Sequence, residues 1–146
     1  MNCIEVNTCD LTGRALDLAV AMSEGATNLR FDTVACWWFT LNGVDRVLSS
    51  GWSAAQNYCP STDWNYGGPL IGRELISFSE VCSREKDGRN VTSWLATCRP
   101  IHQFQNYTSR NSVFSGEGPT HLIAAMRCYV ASRLGDRVSI PKELLQ

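Results

Sequence analysis

The sequence predicts an α+β fold, a mostly antiparallel sheet with two main helices packed on one face. Three observations carry this. Leu11, Ala15, Leu18, Ala19 and Met22 recur at helical spacing and form one apolar stripe. His121 to Leu134 is a second helical run in which only Arg127 and Arg133 are charged. Around both lie short alternating or aromatic-rich stretches punctuated by Asn-Gly and Asp-Gly turn signals. The resulting order is strand, helix, several strands, helix, strand, and it suits helices laid on an antiparallel sheet.

Taken in order, Cys3 to Asn7 alternates as a half-buried strand does. Thr8 or Thr12 can cap the first helix, which runs to about Glu24 with Gly25 as its stop. Arg14, Asp17 and Glu24 fall off the apolar stripe and are expected on the helix's other side. Val34 to Thr40 has strand content, and Asn42-Gly43 turns it into a return strand over Asp45 to Leu48. Ser61 to Glu74 mixes small polar residues, aromatics and a Gly-Gly-Pro turn, and reads as a structured central loop. Leu75 to Cys82 and Val91 to Cys98 form a hairpin about Lys86-Asp87-Gly88-Arg89. Ile101 to Gly116 is polar and reads as an irregular connection. Gly118-Pro119-Thr120 opens the second helix, Gly135 ends it, and Val138 and Ile140 form a last strand.

The totals narrow the function classes. With 146 residues, one domain over 1–146 is expected, and 44% hydrophobic residues suffice for a single core. A net charge of −1 gives no sign of a non-specific nucleic-acid binder. The seven cysteines are odd in number, lack C-x-x-C spacing and follow no signal peptide, so a disulfide scaffold is not expected. His102 and His121 lie in no ligand pattern, so no metal or cofactor is expected. No apolar run is long enough for a membrane span, and the chain reads as cytosolic.

The 61–74 stretch holds most of the candidate chemistry. Ser61, Thr62 and Asp63 either hydrogen-bond a ligand or close a local turn. Trp64 either stacks on a flat ring or plugs the core. Gly67 and Gly68 expose backbone N–H groups as a phosphate loop does, although no Walker or dinucleotide fingerprint is present. Arg73 either clamps an anion or pairs with Glu74 or Asp63. Thr120 opens a helix whose N-terminus favours negative charge. Arg127, in an otherwise apolar helix, needs an anionic partner: Asp63, Glu74, another subunit or a bound anion. Cys59, His121 and Asp63 offer the makings of a nucleophilic set, but nothing in the sequence activates the thiol, so no catalytic residue is assigned.

Three segments in order resemble one family: L-T-G-R-A-L-D-L-A-V-A in the first helix, S-T-D-W-N-Y-G-G-P-L-I in the loop, and G-P-T-H-L-I-A-A-M-R-C-Y-V-A-S-R-L-G-D in the second helix. The chain is similar to the NinX-like phage proteins, from the nin region of lambdoid phages and prophages, over about Asn2 to Leu144. Leu18 departs from a Trp, and His121 from a Pro, common in that family. The resemblance implies phage origin and an accessory role in the host cytoplasm, and no reaction. The expectation is a non-enzymatic protein binding a small anionic, nucleotide-like ligand, such as a host defence signal, between the loop and the second helix. The alternative is an adaptor using the same loop to hold a host or phage protein, with a nucleotide- or glycan-acting enzyme third. The nearly charge-free second helix also suggests self-association as a dimer.

Overall fold

The computed structural model describes residues 2–32, 36–48, 57–99 and 113–145. Strand β1 (Cys3–Asn7) pairs antiparallel with the last strand, β9 (Arg137–Pro141), from Cys3 opposite Pro141 to Asn7 opposite Arg137. The Thr8 hydroxyl donates to the Gly135 carbonyl at 2.7 Å, so it fixes the end of the second predicted helix rather than capping the first. Helix α1 (Gly13–Ser23) starts after Thr12 and ends before Gly25, whose φ of +92° suits glycine.

Four strands follow: β2 (Thr27–Phe31), β3 (Trp37–Leu41), β4 (Val44–Leu48) and β5 (Asn57–Tyr58). They form one sheet in that order, antiparallel except for the β4–β5 pair. Asn42 and Gly43 both have positive φ, the geometry expected of an Asn-Gly hairpin turn. Residues 33–35 of the expected 34–40 strand lie outside the described residues.

The central stretch corrects the expectation. Residues Trp64–Arg73 form helix α2, not a loop, so the described residues hold three α-helices. Asp63 is the N-cap, and its Oδ1 accepts the Asn65 N–H at 2.9 Å. Gly67 is required by packing: a Cβ there would stand 2.6 Å from Leu122 Cδ2 and also meet the Pro60 carbonyl. Pro69 sits inside the helix and, having no N–H, cannot donate to the Asn65 carbonyl.

A second sheet contains β6 (Ser77–Arg84), β7 (Asn90–Cys98) and β8 (Phe114–Gly118), all antiparallel. The β6–β7 hairpin turns about Asp87-Gly88 as predicted, with Gly88 at φ +85°. Strand β8 corrects the end of the supposed irregular connection; residues 100–112 lie outside the described residues. Helix α3 (His121–Leu134) is capped by Thr120, whose hydroxyl accepts the Ile123 N–H at 3.1 Å, while Pro119 precedes the cap. Gly116 and Gly118 let β8 lie directly on α3, since a Cβ on Gly118 would come 2.8 Å from Ile123 Cγ2.

Helix α3 packs against α1, α2, β7 and β8, and Ala125, Met126, Cys128, Tyr129 and Val130 are fully buried. Its lack of a charged face therefore accords with a central place in the domain. Helix α1 is also covered nearly all round, from Ala15 to Ala21. Asp17, expected on the solvated side, is only 2% exposed, a correction with chemical consequences.

Candidate functional site at the starts of two helices

A turn over 59–63 delivers the chain into α2. The Cys59 carbonyl accepts the N–H groups of Thr62 and Asp63 at 3.1 and 2.9 Å. The Ser61 N–H donates to Asp17 Oδ1 at 2.8 Å, in the interior. Burial raises the Asp17 pKa to about 6, and the Ser61 N–H and nearby hydroxyl oppose that rise. Burial, followed by the charges of Asp17 and Asp63, also pushes the Cys59 thiol up, so it stays protonated and unactivated at neutral pH.

Between this turn and the start of α3 lies an open groove of about 300 Å³, lined by Ser61, Thr62, Trp64, Thr120, His121, Leu122 and Ile123. Trp64 stands over it, 55% exposed, so its indole is not a core plug. His121 stacks on Trp94 at 3.8 Å between ring centroids, meets Phe78 edge-on at 5.0 Å and lies 6.4 Å from Trp64. The sequence puts Trp94 within the 91–98 strand and His121 at the opening of the second helix, with no sign that the two rings meet. An aromatic pair joined only by tertiary contact leaves no local signal.

The predicted site residues separate into different places. Ser61, Thr62, Trp64 and Thr120 share the groove. Asp63 caps α2, and the Gly67 N–H donates within that helix to the Asp63 carbonyl at 2.9 Å. Gly67 and Gly68 are thus helical, and the expected phosphate-cradling loop is replaced by α2.

Arg73 lies at the far end of α2. It holds Glu24 with two hydrogen bonds of 3.0 Å, Glu74 at 3.0 Å and the Tyr129 hydroxyl at 3.0 Å. Its expected pairing with Glu74 is present, joined by Glu24, which the sequence did not indicate. Tyr129 also donates to Glu24 at 2.8 Å, and its pKa is pushed up to about 12, first by burial and then by Glu24. Burial would raise the Glu74 pKa, but hydrogen bonds from Arg133 and Arg73 hold it below the usual carboxylate range. This network ties α1, α2 and α3 together.

Arg127 is elsewhere again. Its Nε donates to the Leu11 carbonyl at 2.9 Å and its Nη1 to the Glu117 carbonyl at 2.7 Å, so backbone carbonyls take the place of the expected anion. It lies between a hollow of about 190 Å³ beside Thr8 and Asp136 and a shallower one of about 430 Å³ beside Ser93 and Pro119. The groove therefore has an indole wall and no guanidinium among its lining residues.

Among the described residues, no cluster of His, Cys, Asp or Glu fits a metal ion, and no helix is long and apolar enough to cross a membrane. The model of the family described as bacteriophage P22, NinX matches residues 7–133. The chain belongs to that family. The match spans α1, the groove and nearly all of α3, covering the first two segments that carried the resemblance and the third as far as Arg133. Comparison with curated proteins gives no match.

Proposed function

We propose that this NinX-family protein binds, and does not convert, a small anionic ligand with a flat ring, nucleotide-like in kind, in the groove between residues 61–64 and the start of α3. Trp64 carries the reading: an indole more than half exposed stands over a groove whose other wall is a helix start. Such an indole offers a base a stacking face worth about 1–3 kcal/mol. The anionic part belongs at α3 rather than α2. No acidic residue stands in the first turn of α3, whereas the Asp63 carboxylate caps α2 and would repel an anion. The Thr62 and Thr120 hydroxyls flank the same space. Binding without conversion follows from the protonated Cys59 thiol and from the commitment of Asp63 to its cap. As a phage protein acting in the host cytoplasm, it would thereby hold a host signal nucleotide out of circulation.

Calorimetry with a panel of linear and cyclic nucleotides tests this. Heat is expected from at least one of them, and its affinity falls in Trp64→Ala. Silence across the panel removes the ligand. In the adaptor alternative the exposed indole is a contact hot spot. Pull-down from infected cells would then retain a stoichiometric polypeptide with the wild type and lose it with Trp64→Ala.

A further inference from the structure

Away from the groove, two thiols meet in the interior. Cys98 ends β7 and Cys128 is in the middle of α3; their sulfurs are 3.3 Å apart. The Cys128 sulfur is also 3.4 Å from the carbonyl oxygen of Phe114, the residue paired with Cys98 across β7 and β8. A disulfide needs sulfurs about 2.05 Å apart, so the pair must close by only about 1.3 Å. Both cysteines are buried, Cys128 completely and Cys98 to all but 5%, which admits a small oxidant more readily than a bulky one.

We infer that Cys98 and Cys128 form a peroxide-reactive dithiol site, which hydrogen peroxide converts into an intramolecular disulfide linking β7 to α3. Cys98 is the attacking sulfur. The hydrogen bond from Cys128 lowers its pKa and outweighs the burial that opposes this, while Cys128 itself is raised by that same contact. The Cys98 thiolate attacks one peroxide oxygen, breaks the O–O bond and becomes a sulfenic acid as hydroxide leaves. The Cys128 sulfur then displaces the sulfenic hydroxyl, which departs as water with the Cys128 proton. In sum, two thiols and one hydrogen peroxide give one disulfide and two waters. The bond closes a ring through β8 and fastens α3 to the sheet it already covers.

The test uses the full chain with the exposed Cys3, Cys9 and Cys82 changed to Ser, which removes the surface thiols. After graded hydrogen peroxide, remaining thiols are blocked with N-ethylmaleimide in denaturant and the digest is read by mass spectrometry. A Cys98–Cys128 cross-linked peptide is expected, reversed by dithiothreitol, with a raised Tm in the oxidised protein. In the same background Cys128→Ala should trap Cys98 as a dimedone-reactive sulfenic acid, and Cys98→Ala should leave Cys128 unmodified. Recovery of both as maleimide adducts while Cys36 or Cys59 is oxidised overturns the inference, as does oxidation of Cys98 to sulfinic acid without a cross-link.

Discussion

Asp17 makes the groove's foundation sensitive to pH. Its folded pKa of about 6 stands against an ordinary value of 3.8, a difference of about 2 units. At 1.36 kcal/mol per unit, the ionised side chain costs the folded state up to roughly 3 kcal/mol. The direction follows from the raised pKa. Below pH 3.8 both states hold the proton and Asp17 imposes no penalty. Between 3.8 and about 6 the unfolded chain ionises first, so stability falls as pH rises; above 6 the full cost is present. Asp17→Asn removes the charge and keeps an oxygen to accept the Ser61 N–H. Urea unfolding followed by tryptophan fluorescence, from pH 4 to 7.5, should show the variant gaining on the wild type by up to about 3 kcal/mol across that window. Other titrating groups are common to both proteins and cancel in the difference. A variant-minus-wild-type stability that stays flat with pH refutes the raised pKa. A difference that moves against the variant shows that the ionised carboxylate stabilises the Ser61 turn more than its burial costs.

Gly116→Ala should cost about 1–3 kcal/mol or more in urea unfolding, because the new methyl meets the backbone of α3 at Ala124 and Cys128 and neither strand nor helix can yield cheaply. Arg73→Met should cost about 1–2 kcal/mol by the same assay; the guanidinium is half exposed, and solvent screens its pairing with Glu24. Arg127→Met keeps the aliphatic stem but strands the Leu11 and Glu117 carbonyls, so a loss of about 1–3 kcal/mol is expected. In titrations with any nucleotide that binds the wild type, both arginine variants should keep its affinity, since neither side chain lines the groove; a tenfold loss in either would place the ligand elsewhere. Trp64→Ala should shift stability by less than about 0.5 kcal/mol, because the indole is largely in water, while weakening nucleotide binding by roughly 5–150-fold.

What the sequence made legible is what neighbouring residues decide. The Asn42-Gly43 and Asp87-Gly88 turns need positive φ, glycine supplies it, and both hairpins form where expected. Helices α1 and α3 announce themselves by spacing and by the glycine after each. Helix α2 was hidden because its glycines look like turn formers, whereas Gly67 answers to Pro60 and Leu122, the latter far along the chain. Strand β8 was hidden by the polarity of residues 101–116, while its Gly116 and Gly118 answer to α3. A glycine chosen to clear a distant surface and one chosen for its own φ are identical on paper.

The site divides along the same line. Ser61, Thr62, Trp64 and Thr120 converge because each sits at or beside a helix start, and helix starts are marked locally by capping residues. Position in the 61–74 stretch tied Arg73 to the groove, and the need for an anionic partner tied Arg127 to it; neither fact says which side of a helix meets which neighbour. Arg73 stands at the opposite end of α2 from Trp64, the end that reaches Glu24 and Tyr129. Arg127 points along α3 toward β8 and the chain ahead of α1. With both guanidiniums spent on holding elements together, any anion in the groove must be met by backbone N–H groups and hydroxyls. Such a site favours a ligand that adds a stacking ring to its charge over inorganic phosphate, which brings charge alone. Inorganic phosphate binding as tightly as a nucleotide would therefore show that Trp64 contributes nothing and that the groove has been misread.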